Sequence, residues 1–367
     1  MEFPVFSKCI ILCVYEDMIY FKKKNYLFSF SLSLKIEQKL VKLPITFLSQ
    51  IILNVPILRR LLRFEFHTEL LLGERPLLVI LFRSIVYEID LTNNGINFSK
   101  RFPLRGKYPL NSETVKNLKG FDDGIYYGEY FSNHDKESVS IYRFDTNFEH
   151  VFQFKAGEIN HIHAIIKDHY RNCLWIMAGD SGNGASIWMA KNNFNNVECV
   201  YRGEQKFRAC FGFVFKEGLL YPTDSPNEIN SLRFIKIKDN LFENIEICKL
   251  NGPSIYGVRL KNLYIFSTAT EEEYSKKIKK LNLLKIKPAK GILKNESQLI
   301  MIDEKLNVSI ICKAHKDLLP YGLFQFGTFK FPRYINVNHN LLYFYSIGND
   351  FKDYRVMELY LDQKGNV

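Results

Sequence analysis

The sequence has little alanine and lacks several motifs that mark common enzyme and nucleic-acid-binding classes. It contains no Cys-x-x-Cys pair, no zinc-ligand spacing, no glycine-rich phosphate loop and no nucleophile elbow. It also has no basic stripe interleaved with aromatic residues and no nucleic-acid motif, so we expect no nucleic-acid partner. Low-complexity tracts and a secretory cleavage site are missing as well, which favours a folded protein of the cytoplasm.

Aromatic residues, in contrast, are abundant. The 367 residues include 31 Phe and 21 Tyr, and residues of this kind suit the half-buried surfaces of strands. The formal net charge of +11 favours an anionic partner such as an acidic glycan. The seven cysteines are odd in number and mostly lie in apolar runs, which is typical of reduced core residues in an intracellular protein.

An internal repeat decides the predicted fold. Five segments begin with an apolar–aromatic pair, continue as a short strand and end in small or acidic turn residues: 124–133, 174–182, 220–226, 263–270 and 342–350. The first four recur at about 45 residues, the spacing of one propeller blade. Further strand-like runs flank each anchor, so each repeat supplies four short strands. The sequence therefore predicts an all-β chain that forms a β-propeller.

We predict a single propeller domain over residues 1–367, with regular blades in 111–362 and irregular N-terminal blades in 1–110. Seven four-stranded antiparallel blades are favoured over six. The apolar stretch 43–62 is interrupted by polar residues and prolines, so it predicts a helical insertion rather than a membrane-spanning helix. As an alternative to packing against the propeller, Arg59, Arg60 and Arg63 would contact the surface of the inner membrane.

The segment from His161 to Arg208 carries a family resemblance. A His-x-His strand at His161 and His163, a Trp-x-x-x-Gly-Asp turn ending at Asp180, and a later Gln-x-x-Arg at Gln205 and Arg208 resemble bacterial sialidase-like propellers of the BNR, or Asp-box, type from polysaccharide gene clusters. The Asp-box is degenerate here, because its nearest copy at 145–147 lacks the Gly and Trp. The resemblance implies a propeller fold and a role on a bacterial surface or capsular polysaccharide.

Blade geometry selects the candidate site residues. The loop that enters the innermost strand and the loop between the second and third strands open on the same face of a propeller, and loops on a rigid scaffold often carry function. From these loops we predict the catalytic residues Glu129, His163, Asp180 and Asp224, and the substrate-binding residues His161, Gln205, Arg208, Tyr256 and Tyr321. The alternatives are structural: the aspartates would cap turns, one histidine would be a core residue, and Arg208 would pair with a carboxylate of a neighbouring blade.

Three functions fit this set of residues. A glycoside hydrolase would use two carboxylates from Glu129, Asp180 and Asp224. A polysaccharide lyase would neutralise a uronate carboxylate with Arg208 or a divalent cation and use His163 or a tyrosine as base. A non-catalytic propeller would bind a glycan or a protein. The expected partner is an acidic or amino-sugar glycan. The cofactor that these residues suggest is a divalent cation. We expect His161 and His163 to lie on opposite faces of their strand, which argues against both of them binding the same metal ion.

Overall fold

The computed structural model describes residues 9–73, 76–92, 96–101, 105–106, 108–180, 182–239, 241–272 and 287–361. Seven small sheets follow one another in this part of the chain, and five of them have four strands. This order confirms the predicted fold class, an all-β propeller of seven blades. The chain divides into two compact units, Glu69–Leu250 and Met1–Thr68 with Asn251–Val367. Its assignment to one domain stays a prediction.

The N-terminal sheet is followed by a helical insertion, as the sequence predicts. The elements are β1 (Cys9–Tyr15), β2 (Met18–Lys23), β3 (Tyr26–Ser31), β4 (Glu37–Lys42), α1 (Phe47–Asn54) and α2 (Pro56–Leu62). Thr46 caps α1 by accepting a hydrogen bond from the backbone N–H of Ser49. The insertion breaks into two helices because a proline disfavours helical backbone in the residue before it, and Val55 is extended at φ −107° and ψ 102°.

Four sheets follow between residues 67 and 249. They consist of β5 (His67–Leu71), β6 (Leu77–Phe82), β7 (Ile85–Asp90) and β8 (Ile96–Arg101); β9 (Glu113–Val115), β10 (Gly124–Gly128), β11 (Val139–Phe144) and β12 (Phe148–Phe154); β13 (His161–Asp168), β14 (Cys173–Gly179), β15 (Ser186–Lys191) and β16 (Asn196–Arg202); and β17 (Phe213–Phe215), β18 (Gly218–Pro222), β19 (Ser231–Lys238) and β20 (Leu241–Lys249). In each sheet, successive strands are neighbours.

The strands of the third of these sheets show why the apolar runs are continuous. Every residue of β14 is buried, because apolar clusters cover both faces of its sheet. One cluster joins it to the sheet β9–β12 through Ile176, and the other joins it to the sheet β17–β20 through Trp175. Strands buried on both faces read as unbroken apolar segments. The outer strand β16 is polar and partly exposed.

The C-terminal segment departs from the predicted pattern. Its elements are β21 (Ser254–Leu260), β22 (Leu263–Thr268), β23 (Glu296–Ile302), β24 (Val308–His315), α3 (Tyr321–Phe324), β25 (Thr328–Lys330), β26 (Arg333–Ile335), β27 (Leu341–Ile347) and β28 (Val356–Tyr360). The strand β26 leaves its neighbours and pairs in parallel with β1, with Ile335 opposite Tyr15. The last sheet therefore has three described strands and the N-terminal sheet has five.

The helical insertion buries two of the three arginines for which membrane-surface contact was the alternative prediction. Arg60 is 1% exposed, and its Nη1 donates to Asp317 Oδ2 at 2.5 Å and to Asp353 Oδ2 at 2.9 Å. The Arg59 guanidinium lies 3.8 Å from the centre of the Tyr354 ring and is also buried. The prediction that these two side chains would contact a membrane surface is therefore wrong, because both are buried. No helix in the described ranges is long and apolar enough to cross a bilayer.

We expect Arg60→Met to lower the free energy of unfolding by about 2–4 kcal/mol, because two largely buried carboxylates lose their shared cation. Urea denaturation measures the change. The control Lys42→Met alters an exposed side chain and should change stability by less than about 0.5 kcal/mol. Equal losses in the two variants would show that the ion pairs do not anchor the insertion.

Candidate functional site

Six of the nine predicted site residues lie together within the unit Glu69–Leu250. They come from the beginning of β13, the end of β14, the short 3-10 turn Gln205–Phe207 with the segment after it, and the end of β18. These residues are His161, His163, Asp180, Gln205, Arg208 and Asp224. The strand ends of two neighbouring sheets thus bring imidazoles, carboxylates and a guanidinium into one cluster, which we call the His–Asp–Arg cluster.

The two histidines touch each other, so placing them on opposite faces of β13 was wrong. Residues two apart in a strand share a face, and His163 is the extra residue of a β-bulge between the pairs Ile162–Ala178 and Ala164–Met177. The Nε2 atoms of His161 and His163 are 3.0 Å apart. Gly179 leaves room for this packing, since a β-carbon there would lie 2.1 Å from His163 Cε1.

The hydrogen bonds of the histidines define their tautomers. The Nδ1 of His161 lies 3.1 Å from the carbonyl oxygen of Phe131, and the Nδ1 of His163 lies 3.0 Å from that of Ala209. A carbonyl oxygen only accepts hydrogen bonds, so this network assigns a proton to each Nδ1. With a proton on each Nδ1, the close contact between the two Nε2 atoms needs a proton or a cation between them. Burial, together with the charges of His161 and Arg208, lowers the pKa of His163 to about 3, so this residue is neutral.

Asp180 adds a carboxylate oxygen to the two imidazole nitrogens. Its Oδ1 lies 3.2 Å from His161 Nε2, 3.8 Å from His163 Nε2 and 3.6 Å from Arg208 Nη2. Burial acts to raise the pKa of Asp180, but a hydrogen bond from His161 and the charge of Arg208 prevail and hold it well below its usual range. The side chain is 42% exposed. Three lone-pair donors that converge in this way require a shared proton or a cation between them.

Arg208 links this group to a second, buried carboxylate. Its Nε donates to Asp224 Oδ2 at 3.1 Å, and the Cys210 thiol donates to the same oxygen at 3.2 Å. Burial raises the pKa of Asp224 against the opposing charge of Arg208. The Asp224 Oδ1 is buried and has no hydrogen-bond partner among the described residues. Arg208 therefore lies between Asp180, whose pKa is lowered, and the buried Asp224, whose pKa is raised.

Glu129 is held in a separate network. Its carboxylate accepts hydrogen bonds from Arg105 Nη2 at 2.7 Å, from Arg105 Nε at 3.0 Å and from the backbone N–H of Ser140 at 2.8 Å. The side chain is 3% exposed. These contacts use both oxygens, so the geometry indicates a structural role for Glu129 in its own sheet. Its predicted catalytic role receives no support from this arrangement.

Gln205 supports the cluster, whereas the two tyrosines belong to the other unit. Gln205 Nε2 donates to the backbone oxygen of Asp180 at 2.9 Å, which positions the turn that carries the carboxylate. Tyr321 is buried, and its hydroxyl donates to Asn295 Oδ1 at 2.9 Å. The Tyr256 ring lies 4.5 Å from Lys330 Nζ. Substrate binding by Tyr256 and Tyr321 stays a prediction.

Two residues at the site, Cys210 and Tyr130, were not predicted from the sequence. The sequence pattern groups Cys210 with the core cysteines, yet its Sγ lies 3.5 Å from His163 Nδ1 and 3.2 Å from Asp224 Oδ2. Tyr130 lies beside the cluster, with its ring centre 4.7 Å from that of His161. Each follows a predicted residue closely, Cys210 by two positions and Tyr130 by one. The available signal was therefore proximity in sequence to Arg208 and Glu129.

The cluster has the donor chemistry of a divalent-cation site. His161 Nε2, His163 Nε2 and Asp180 Oδ1 all lie within 4.8 Å of one another. Imidazole nitrogens with a carboxylate oxygen suit zinc, manganese or iron, and metal-binding histidines usually donate the other ring N–H to a carbonyl or carboxylate. Both Nδ1 atoms meet that requirement. A second group, His163, Cys210 and Asp224, has the same spacing but is fully buried and shares His163.

Comparison with known proteins places the fold but not the activity. No protein-family model matches the sequence, and no curated protein matches it. The AfRom2 CNH domain superposes with a TM-score of 0.51 at 6% identity, covering 97% of this chain and 96% of that domain. An oligogalacturonate lyase from Vibrio parahaemolyticus gives 0.49 at 11% identity, covering 88% and 84%. The likeness to the CNH domain shows the fold alone, and the sialidase-like type stays a prediction.

We expect Glu129→Gln to lower the free energy of unfolding by about 1–2 kcal/mol while leaving ligand binding at the His–Asp–Arg cluster unchanged. The amide loses its charge-assisted hydrogen bonds to Arg105, which is itself 37% exposed. Urea denaturation and calorimetric titration measure the two properties. Unchanged stability together with lost binding or turnover would return Glu129 to the functional residues.

Proposed function

We propose that the chain is a carbohydrate-active propeller whose His–Asp–Arg cluster binds a divalent cation and the carboxylate of an acidic sugar. His161, His163 and Asp180 would hold the cation, and Arg208 would pair with the sugar carboxylate. The observation that carries this proposal is the convergence of the two Nε2 atoms and Asp180 Oδ1, with Arg208 Nη2 3.6 Å from that oxygen. When bound, such a cation supplies Lewis-acid neutralisation of a carboxylate.

The charge pattern supports an acidic ligand. Arg208 presents a planar guanidinium, which pairs with carboxylates through two parallel hydrogen bonds when both edges are available. The formal net charge of +11 favours the approach of a polyanion. Five of the residues that carry the sialidase-like resemblance belong to this cluster, namely His161, His163, Asp180, Gln205 and Arg208. Their convergence is consistent with a role on a bacterial polysaccharide.

Elimination fits the cluster better than hydrolysis. A glycoside hydrolase needs two carboxylates that both reach the scissile bond. Of the three predicted ones, Glu129 is saturated by Arg105 and Ser140, Asp224 is 3% exposed, and Asp180 alone is open to solvent. In an elimination, neutralising the uronate carboxylate allows a base to remove the proton from the carbon next to it. A double bond then forms between this carbon and the next one, whose bond to the glycosidic oxygen breaks. The products are an unsaturated uronate and a sugar hydroxyl.

The predicted base of that reaction needs revision. His163 is 2% exposed, has a low pKa and directs its Nε2 at the other acceptors, so it suits a ligand better than a base. A tyrosine is the other predicted type of base, and Tyr130 lies beside His161 in the same unit. A non-catalytic glycan-binding propeller is the second candidate function. It is favoured by the burial of both Glu129 and Asp224.

Metal binding provides the first test. We expect the wild-type chain to bind Mn²⁺ or Zn²⁺ in calorimetric titrations, and His161→Ala, His163→Ala and Asp180→Asn each to weaken this binding more than about 100-fold, because each removes a ligand. The matched control is His150→Ala, which removes an exposed histidine of β12. Equal affinities in the control and the three cluster variants would contradict the proposed cation site.

Ligand binding provides the second test. Arg208→Ala should weaken binding of uronate-containing polysaccharides by about 30- to 1000-fold, equivalent to about 2–4 kcal/mol, and leave neutral polysaccharides unaffected. Arg208→Lys keeps a cation beside Asp224 but loses the bidentate fork, so it should fold and still bind weakly. Arg202→Ala on the outer strand β16 is the control.

The same incubations distinguish the two candidate functions. Absorbance of unsaturated uronates that appears with wild type and disappears with Asp180→Asn would support the lyase. Binding without any product would support the glycan-binding propeller. Neither binding nor product across acidic and neutral bacterial polysaccharides would contradict a carbohydrate role.

A further inference from the structure

The helical insertion turns apolar side chains toward solvent. On α1, Phe47 is 81% exposed and Leu48 is 66% exposed, while on α2 both Ile57 and Leu62 are 45% exposed. Ile51 and Leu61 are each 40% exposed and lie four residues after Phe47 and Ile57, on the same side of their helices. We call these six residues the insertion surface. Contiguous exposed apolar residues of this size mark an interaction site more often than single ones do.

The helix α2 is inverted relative to an ordinary surface helix. Surface helices direct apolar residues to the core and charged residues to water. Here Arg59 and Arg60 point inward and are 3% and 1% exposed, and Arg60 is fixed by Asp317 and Asp353. These ion pairs belong to the same unit as the insertion. The apolar side chains therefore face outward because the arginines anchor the opposite side of the helix.

The exposed charges within the insertion segment have one sign. Residues 38–64 include no aspartate or glutamate. The exposed charged residues of this segment are Lys39 and Lys42 on β4 and Arg63 at the end of α2. An apolar face bordered by lysine and arginine is the pattern of a helix that lies in the interfacial layer of a membrane, where anionic headgroups attract the cations.

We propose that the insertion surface docks the protein on an anionic lipid bilayer. Phe47 and Leu48 on α1 and Ile57, Leu61 and Leu62 on α2 enter the boundary between headgroups and acyl chains, and Lys42 and Arg63 remain at the level of the phosphates. Helices of eight and seven residues are about 12 and 10 Å long, so they lie along the surface. The proposal does not depend on the proposed glycan site.

Vesicle flotation tests this docking with the full chain. The probes are phosphatidylcholine vesicles with and without phosphatidylglycerol. We expect binding to the anionic vesicles alone, about tenfold weaker binding for Phe47→Ser and for Ile57→Ser, and about fivefold weaker binding for Arg63→Gln. The control Leu241→Ser removes a leucine that is 74% exposed on β20 of the other unit, and it should bind like wild type.

Three outcomes would overturn the proposal. The first is flotation of wild type with neither type of vesicle, and the second is binding of Phe47→Ser and Ile57→Ser equal to that of wild type. The third is a dimer in light scattering that Phe47→Ser dissociates, which would assign the surface to a second copy of this chain. Thermal melting of each variant verifies that it is folded. The two substitutions lie on different helices, so either one tests the proposal by itself.

Discussion

Burial of the sheet β13–β16 on both faces is the constraint on which the candidate site depends. Apolar clusters pack against each face, so Ile176 and Trp175 are committed to opposite neighbours. With both faces filled, the polar side chains of the inner strands β13 and β14 can reach solvent only where these strands begin and end. His161, His163 and Asp180 occupy those ends, and the adjacent sheet delivers Arg208 and Asp224 to the same place. The packing of the core thus determines which polar groups meet.

Much of the fold was predictable because the repeat is local. Apolar–aromatic anchors about 45 residues apart, with turn residues after them, determine the strands of each sheet independently of the rest of the chain. The pairing of β26 with β1 was not predictable in this way, since it joins segments from opposite ends of the sequence. The inward direction of Arg59 and Arg60 was also hidden, because their partners Asp317, Asp353 and Tyr354 are distant in sequence.

The candidate site was predictable in its residue types and less so in its contacts. The order of strands in a blade identified the loops that carry His161, Asp180 and Arg208, because it fixes the end of the sheet at which each loop opens. It could not show that Arg105 donates hydrogen bonds to the Glu129 carboxylate, since that pairing joins a loop to the end of a strand. Nor could it separate Cys210 from the core cysteines, because an apolar sequence context does not reveal that a thiol faces a carboxylate.

The parallel pairing of β26 with β1 has a consequence for synthesis of the chain. The ribosome makes β26 long after β1, so the edge of β1 that β26 covers stays unpaired until β26 has been made. The edge of β1 carries Cys13 and Val14, both fully buried once the sheet is assembled. An open apolar edge is a template for pairing with other chains. The sheets between residues 113 and 249 pair only consecutive strands and can form as they emerge. The period in which a nascent chain is open to misassociation is therefore set by its first strand rather than by its many internal ones.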